Sequence, residues 1–380
     1  MEEYPRYELG PSRPPSEAHS LLLRLTRSCP WNRCEFCTTN KGKKFSLRTV
    51  AEIKKDIETV KIIQEKITAL SWRTGWGGNT KEAAARVYEN PPNDSFRVVA
   101  LWLYFGGRTV FLQDANSIIL RTPDLVEVLK FLKQTLPSID RITSYGSSKV
   151  TAHKSLEELK EIHAAGLSRL HIGIESGHDE VLKYVLKGAT AEEHIRAGQK
   201  AVAAGISLSE YVMPGLGGRK WSQEHARETA RVLNEINPDF IRLRSLVLRE
   251  DLPLYGKYKS GEFELLTDDE VVMEIAEFLK ELKVDSNLLS DHIENLLPEV
   301  EGKLPEDKEK MLNIINRYLS LPPEERLIYR LGRRTGHYNG LSDLHHPVKR
   351  SRIEKLLQHI EGRSEDVEEI IFNLKQGYLV

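Results

Sequence analysis

Short strand-like runs alternate with amphipathic helical segments over most of this sequence, and this alternation limits the folds that are open to the chain. From the second strand onward, the predicted strands start about 30 residues apart, the length of one βαβ crossover. Helices with one apolar face are predicted between them, and Thr49 with Glu52 forms a capping box that opens another helix upstream. The predicted strands are 20–26, 109–112, 141–145, 169–174, 207–213 and 240–246, and two of the helices are 124–136 and 155–165. Six strand-helix units of this kind predict an α/β fold built on a parallel sheet.

Changes in this pattern predict the domain organisation. Residues 1–19 form an N-terminal extension, and residues 20–254 carry the strand-helix units. Residues 71–107 interrupt the units with Trp, Gly, Asn and a Pro-Pro pair, which predicts an insertion or a lid-like loop. Beyond about residue 255 no further strands are expected, and 255–380 is predicted to be a helical region. The helical patterns in that region are 268–282, 306–319 and 323–331.

Composition places the chain among ordinary globular proteins. Its 380 residues are 40% apolar and 29% charged, and 55 basic against 56 acidic side chains leave a formal charge of −1. This balance does not favour a nucleic-acid partner. No apolar run approaches the ~20 residues of a membrane helix, and the amino terminus is polar and Pro-rich. We therefore expect no membrane association and a cytoplasmic location.

All three cysteines of the sequence, Cys29, Cys34 and Cys37, lie within nine residues. An odd number of closely spaced cysteines does not suit a disulfide framework, and free thiols in a reducing compartment fit better. The segment directly follows the first predicted strand, so the sulfurs are expected at the carboxyl end of that strand, where parallel barrels build active sites. Thiolates bind iron–sulfur clusters or zinc, and three of them leave one metal position without a protein ligand.

Two other interpretations of the cysteines are open at this point. A structural zinc ion usually takes a fourth Cys or a nearby His, and no His lies between Ser20 and Tyr145. A distant residue such as His153 or His171 would have to complete such a site. The cysteines could also be inert buried thiols. The spacing favours a cluster over both alternatives.

A strand, a cysteine loop that ends in Cys34-Glu-Phe-Cys37, and repeated β-α units together resemble the radical S-adenosylmethionine (radical SAM) superfamily over about residues 20–250. The resemblance implies a partial (β/α)6 TIM-like barrel, with the helical region following it. It also implies that the three cysteines hold a 4Fe-4S cluster, and that S-adenosylmethionine chelates the fourth iron and is cleaved by reduction to a 5′-deoxyadenosyl radical. The commonest family spacing has three residues between the first two cysteines, whereas four lie here, from Pro30 to Arg33.

The resemblance extends to residues that would bind the cosubstrate. In the segment 171–177, Glu175 matches an acidic or amide residue that binds the ribose hydroxyls in the family. Lys187 stands where coproporphyrinogen-oxidase-like members carry a basic residue for the cosubstrate carboxylate. The turn after the second strand lacks the family's Gly-Gly-Glu, and Asp114 and Asn116 are the polar residues available there. The predicted cosubstrate site is completed by Phe36, Ser144 and Tyr211.

Each of these residues also has a simpler interpretation. Glu175 could cap the following helix at the surface, and Lys187 could be a solvated cation at the end of that helix. Asp114 and Asn116 could belong to an ordinary turn. A glycine-rich turn at 213–218 would allow close approach of a ligand to the backbone, although such a turn is weak evidence on its own.

The sequence therefore predicts a radical SAM enzyme that abstracts hydrogen from an unidentified substrate, expected to be a small molecule, with an electron donor such as flavodoxin or ferredoxin. Two alternatives are a haem- or cluster-carrier protein of the coproporphyrinogen-oxidase-like type and a nucleic-acid-modifying radical SAM enzyme. In the carrier, His153, His345 and His346 would be candidate haem ligands. The run 330–355 adds the hypothesis of a clamp for an anionic substrate, with Arg333 and Arg334 as the residues to test, although such runs are more often solvated helices and loops. Its basic residues are Arg330, Arg333, Arg334, Lys349, Arg350, Arg352 and Lys355.

Overall fold

The computed structural model describes residues 4–11, 13–361 and 367–377. The chain divides into two compact units. The first comprises Met1–Asn32, Thr39–Ile172 and Arg196–Leu208, and the second comprises Arg33–Thr38, Gly173–Ile195 and Ser209–Val380. Cys29 therefore belongs to the first unit, and Cys34 and Cys37 belong to the second. The domain boundaries predicted from the sequence stay predictions.

The strands form one large, mostly parallel sheet and one small antiparallel pair. In chain order they are β1 (Leu21–Arg24), β2 (Thr26–Arg27), β3 (Ser46–Leu47), β4 (Thr109–Gln113), β5 (Arg141–Gly146), β6 (Leu167–Glu175), β7 (Ser207–Val212), β8 (Phe240–Leu243), β9 (Asn287–Leu289) and β10 (Gly302–Lys303). The large sheet has the order β1-β4-β5-β6-β7-β8-β9-β10, and β2 pairs with β3. The six predicted strands correspond to β1 and to β4 through β8, so the predicted α/β fold is confirmed.

The helices follow the strands in the expected alternation. In chain order they are α1 (Val50–Arg73), α2 (Thr80–Glu89), α3 (Asp94–Tyr104), α4 (Thr122–Thr135), α5 (Ser148–His153), α6 (Leu156–Ala165), α7 (Asp179–Tyr184), α8 (Ala191–Ala203), α9 (Gly218–Ile236), α10 (Pro253–Lys259), α11 (Asp268–Glu281), α12 (Lys308–Leu319), α13 (Pro323–Arg334), α14 (Pro347–Glu361) and α15 (Val367–Gln376). None of the described helices is both long enough and apolar enough to cross a lipid bilayer.

Strand register explains where the predicted site residues lie. In the first unit β1 pairs with β4, β4 with β5 and β5 with β6, all in parallel. In the second unit β7 pairs with β8 and β8 with β9, again in parallel. Parallel strands bring their carboxyl ends to the same edge of a sheet. Asp114, Glu175 and Arg244 stand at or just beyond the carboxyl ends of β4, β6 and β8.

Helix α1 begins at the predicted capping box. The Thr49 hydroxyl accepts the Glu52 N–H at 3.2 Å, and the Glu52 carboxylate accepts the Thr49 N–H at 2.8 Å. These two bonds satisfy backbone donors that the first turn of a helix leaves free. The helix then buries one apolar face, which is formed by Ile53, Ile57, Val60, Ile63 and Ile67.

Residues 71–107 are not the loop that the sequence suggested. Two of the helices, α2 and α3, lie within this segment and start at the N-caps Asn79 and Asn93. Each Asn side chain accepts backbone N–H groups of the first turn, which stabilises short helices of this kind. Both helices bury apolar side chains, namely Ala83, Ala84, Phe96, Val99, Ala100 and Trp102. The prediction of a loop was wrong for α2 and α3, and the idea of an insertion stays a prediction.

The expectation that strands end near residue 255 was also wrong. Strand β9 adds to β8 in parallel, and β10 pairs with β9 in antiparallel orientation. Both strands are very short, so neither carries the alternating or β-branched pattern on which strand prediction depends. The helices predicted beyond this point are present as α11, α12 and α13.

Candidate active site

The cysteine loop begins in the first unit with two residues in the left-handed backbone region. Ser28 has φ 70° and Asn32 has φ 46°. The Ser28 hydroxyl donates to the Lys43 carbonyl oxygen at 2.9 Å, and the Asn32 side-chain amide donates to the Asn40 carbonyl oxygen at 2.6 Å. The Asn32 N–H points to the Cys29 sulfur at 3.4 Å. Side chains thus hold a strained turn around Cys29, and such strain is concentrated at functional sites.

The rest of the loop is anchored in the second unit. The Glu35 N–H donates to the Val185 carbonyl oxygen at 3.0 Å, and the Glu35 carboxylate pairs with Lys257 at 2.7 Å. Phe36 packs against a buried apolar cluster that includes Val185. The Cys34 thiol lies 3.8 Å from the Lys187 carbonyl oxygen. The backbone on both sides of Cys34 is therefore fixed.

All three cysteines are free thiols of intermediate exposure. Thiols that are accessible and not paired in disulfides fit the donor chemistry that an iron–sulfur cluster needs. Across the described ranges, no three His, Cys, Asp or Glu side chains are grouped closely enough to hold a metal ion. The assignment of Cys29, Cys34 and Cys37 as ligands therefore stays a prediction.

Glu175 and Lys187, twelve residues apart in the sequence, form an ion pair. The Lys187 ammonium lies 3.0 Å from the Glu175 carboxylate and 5.8 Å from the centre of the Phe36 ring. Burial disfavours the charge of Lys187, but Glu175 and the Cys34 thiol outweigh it, so the pKa of Lys187 is raised. The Lys187 side chain is only 16% exposed, so a solvated helix end does not describe it.

The backbone around Glu175 is adapted to this pair. Glu175 itself has φ 62°, in the left-handed region that non-glycine residues rarely adopt. A Cβ atom at Gly173 would lie 2.1 Å from the Glu175 carboxylate, so the absence of a side chain there makes room for the carboxylate. Helix α7 takes His178 as its N-cap, and Glu175 does not cap it.

The predicted residues at the ends of β4 and β5 are buried in the first unit. Asp114 has φ 69° and pairs with Arg24 at 2.5 Å. Burial raises the pKa of Asp114 despite this pairing. The Asn116 side-chain amide donates to the Ser147 hydroxyl at 3.0 Å, while its side-chain oxygen is buried and has no hydrogen-bond partner within the described ranges. The Ser144 hydroxyl donates to the Tyr145 carbonyl oxygen at 2.8 Å, so it is already engaged.

Glu210 is a site residue that the sequence analysis did not single out. It lies on β7 and is fully buried, and neither of its carboxylate oxygens has a hydrogen-bond partner among the residues that the structure describes. Burial raises the pKa of Glu210 well above its ordinary value. The Lys187 charge opposes this effect, and the Glu175 carboxylate adds to it. An acidic residue inside a predicted parallel strand was the available signal, because such strands are normally apolar.

A second buried network ties the ends of β6 and β7 together. The Met213 N–H donates to the Glu175 carbonyl oxygen at 3.0 Å. The His225 ring bridges the same two segments, with Nδ1 2.8 Å from the Ser176 hydroxyl and Nε2 3.1 Å from the Met213 carbonyl oxygen. Burial lowers the pKa of His225 to about 4, so the ring is neutral at physiological pH. This network holds Glu175 in its strained conformation.

Glu274 accepts hydrogen bonds from the glycine-rich turn and from helix α9. Its carboxylate accepts the Gly215 N–H at 2.7 Å and the Ser222 hydroxyl at 2.6 Å. Burial raises the pKa of Glu274 to about 7, despite these two bonds. The protonated form is therefore the one that the folded protein prefers.

Replacing Glu274 with Gln is expected to change how stability depends on pH. A carboxyl group whose pKa is raised in the folded protein stabilises it fully below the ordinary pKa of 4.5. This stabilisation is lost as the pH rises through the folded-state pKa of about 7. The pKa shift corresponds to about 3 kcal/mol. Between pH 4.5 and pH 8, wild type should therefore lose about 3 kcal/mol of unfolding free energy that the Glu274→Gln variant keeps. Chemical denaturation across this range measures it. Glu277→Gln, at a partly exposed residue of the same helix, is the control, and equal pH profiles for the Glu274 variant and wild type would contradict the assignment.

Arg333 and Arg334 do not form the anion clamp that the basic run suggested. Arg334 makes a bidentate ion pair with Asp268, at 2.7 and 3.1 Å, and both side chains are buried. Arg333 donates to main-chain carbonyl oxygens, those of Asn295, Leu296 and Tyr338. Both guanidinium groups are already engaged by partners within the second unit, so the clamp hypothesis was wrong for Arg333 and Arg334.

Comparison with known proteins gives a family match for more than half of the chain. Residues 23–231 match the family model described as the radical SAM superfamily. The match begins within β1 and ends within α9, so it includes the cysteine loop and the strand ends at Asp114, Glu175 and Tyr211.

Curated relatives match only a part of the chain. A protein named tRNA uridine(34) acetyltransferase from Methanocaldococcus infernus is 26% identical over 129 residues, which are 34% of this chain and 24% of that protein. A protein named 4′-phospho-dehydrooxetanocin synthase from Priestia megaterium is 30% identical over 133 residues, which are 32% of this chain and 18% of that protein. This chain therefore spans a quarter or less of the length of these relatives.

Solved structures with a related fold include coproporphyrinogen III oxidase from Escherichia coli, at 17% identity and a TM-score of 0.43, covering 69% of this chain and 52% of that one. Methylornithine synthase is 13% identical with a TM-score of 0.42, covering 78% of this chain and 81% of that one.

Proposed function

The chain belongs to the radical S-adenosylmethionine superfamily, and on this basis we propose that it binds one 4Fe-4S cluster, cleaves S-adenosylmethionine reductively and abstracts hydrogen from a substrate. The observation that carries the proposal is the cysteine loop. The only three cysteines of the chain lie on it, at the carboxyl end of β1 and inside the region that matches the family. When bound, the cluster supplies an electron and the cosubstrate supplies a sulfonium bond that breaks to give a carbon radical.

The donor chemistry of the cysteine loop suits the group that it would hold. Cys29, Cys34 and Cys37 would ligate three irons, since they are free thiols of intermediate exposure, and Glu35, the carboxylate of the loop, is paired with Lys257. Three ligands leave one iron for the cosubstrate.

The cosubstrate would be held by groups that are already oriented. Lys187 would pair with its carboxylate, and Glu175 would accept from its ribose hydroxyls. Both side chains are mostly buried, so few water molecules compete for their hydrogen bonds, and the Lys187 ammonium lies near the Phe36 ring. Glu210 in the second unit and Asn116 in the first each have buried side-chain oxygen atoms without a partner among the described residues, which is the condition that a polar ligand relieves. Asp114 and Tyr211 would complete the site.

A cleavage assay tests the proposal. We expect the anaerobically reconstituted protein to form 5′-deoxyadenosine from S-adenosylmethionine when dithionite, or reduced flavodoxin or ferredoxin, supplies electrons. The product is measured by liquid chromatography and mass spectrometry, with protein stripped of iron as the control. Absence of 5′-deoxyadenosine from a preparation with full iron and sulfide content would contradict the proposal. A Soret band on addition of haem to that preparation would favour a carrier function instead.

A nucleic-acid substrate is the second candidate. It is favoured by the relatives named tRNA uridine(34) acetyltransferase, although they match only about a third of this chain. The near-neutral overall charge argues for a small-molecule substrate. Stimulation of 5′-deoxyadenosine formation by added tRNA, and not by free nucleotides, would favour the nucleic acid.

A further inference from the structure

Arg244 lies at the carboxyl end of β8, and the proposed cosubstrate site does not use it. Its backbone N–H donates to the carbonyl oxygen of Val212, the last residue of β7, at 2.9 Å. Its guanidinium lies 4.6 Å from the centre of the Tyr211 ring. Arg244 therefore stands at the carboxyl ends of two neighbouring strands, where ligands of parallel sheets bind.

Arg244 lacks a carboxylate partner in the part of the chain that the structure describes. Among these residues its buried Nε also has no hydrogen-bond partner. Arg242, two residues earlier, is different. It forms an ion pair with Asp291 and donates to the Ser209 hydroxyl at 3.2 Å.

Among the described residues, the groups recorded around Arg244 leave one positive charge in excess. Asp291 is a carboxylate that acts on Tyr211 in this cluster, and Arg242 already engages it. His292 adds no negative charge and no second cation, because burial and the Arg244 charge lower its pKa to about 4. A partly buried guanidinium without a counter-ion is costly, and an anionic ligand relieves that cost. The Arg244 guanidinium lies over the Tyr211 ring and also interacts with the Tyr211 hydroxyl, so the N–H groups on its remaining edge would take such a ligand.

We propose that Arg244, stacked on Tyr211, anchors an oxyanion of the substrate, either a phosphate or a carboxylate group. The inference rests on the proposed function and adds the chemical class of the substrate to it. Arg suits this task because its planar fork binds either oxyanion through two parallel hydrogen bonds. The aromatic ring orients the fork and limits its rotation.

Binding of simple anions to the reconstituted protein tests this assignment. Equilibrium dialysis with inorganic phosphate in one arm and acetate in the other should show saturable binding of at least one of the two. Arg244→Gln should weaken that binding about 10- to 100-fold, because a bidentate, charge-assisted contact is lost. Arg227→Gln removes an exposed guanidinium that is paired with Glu277, and it should leave anion binding as in wild type.

A second measurement needs no variant. Phenylglyoxal labels accessible arginines, so the bound anion should protect Arg244 of the wild-type protein and leave Arg227 reactive, as read by peptide mass spectrometry. No saturable binding of either anion, or equal binding by wild type and Arg244→Gln, would overturn the assignment. A variant that loses affinity for S-adenosylmethionine as strongly as for the anion would also overturn it, because Arg244 would then serve the cosubstrate. The cleavage assay needs no substrate, so formation of 5′-deoxyadenosine by wild type separates these failures from failure of the proposed function.

Discussion

Replacing Cys34 with Ala is expected to remove the cluster and with it all cleavage of S-adenosylmethionine. Three thiolates are the minimum set on this loop, so a variant with two cannot keep a four-iron cluster stable. Loss of a partner outside the ligand shell already lowers metal affinity about 10- to 100-fold, and loss of a ligand should exceed this. Iron and sulfide per protein should fall to less than about a tenth of the wild-type values, and 5′-deoxyadenosine formation should fall to background.

The loop offers a matched control for this experiment. Thr39 lies five residues after Cys34, and it is exposed. Thr39→Ala should keep wild-type iron, sulfide and cleavage rates. Full iron and sulfide in Cys34→Ala, or zinc in place of iron in anaerobically purified wild type, would refute the assignment of the three cysteines. Because Cys34 also lies near the Lys187 carbonyl oxygen, circular dichroism should confirm that the variant is folded.

The sequence predicted the scaffold well because its strands carry a strong local signal. Strand β6 was predicted over 169–174 and is observed as Leu167–Glu175, and the capping box at Thr49 marked the start of α1 correctly. In each case the pattern lies within a few neighbouring residues. Helices α2 and α3 were missed because the glycines, asparagines and prolines around them are typical of loops. Two of these asparagines, Asn79 and Asn93, in fact act as N-caps.

The partners of the site residues could not be predicted in the same way. The sequence named Glu175 and Lys187, but it did not show that they form an ion pair, because that depends on how helix α7 returns the chain to β6. Arg242 and Arg244 look alike in the sequence. Only the strand register and the position of Asp291 show that Arg242 has a carboxylate partner, whereas Arg244 has none in the described part of the chain. Burial and charge pairing are long-range properties, which a local pattern does not contain.

The turn that carries Glu175 depends on close backbone packing, so Gly177→Ala is expected to destabilise the protein strongly. A Cβ atom at Gly177 would lie 2.3 Å from the Glu228 carbonyl oxygen and 2.7 Å from the Thr229 Cα atom. These are backbone atoms of helix α9, so a change of rotamer cannot relieve the clash. Overpacking typically costs 1–3 kcal/mol, and we expect a loss of about 3 kcal/mol or more in the free energy of unfolding. The variant should also bind S-adenosylmethionine more weakly, because the Gly177 N–H bond to the Thr229 hydroxyl, 2.8 Å long, helps to fix the turn next to Glu175.

Gly256 gives the opposite expectation for the same substitution. It lies within helix α10, and a Cβ atom there would meet no other atom within 4 Å. Ala is favoured over Gly inside a helix, so Gly256→Ala should stabilise the protein by about 0.5–1 kcal/mol. Urea denaturation of the two variants and wild type measures both effects in one series. If Gly177→Ala proved as stable as Gly256→Ala, helix α9 could not lie against the turn after β6 as described, and the network that positions Glu175 would have to be abandoned.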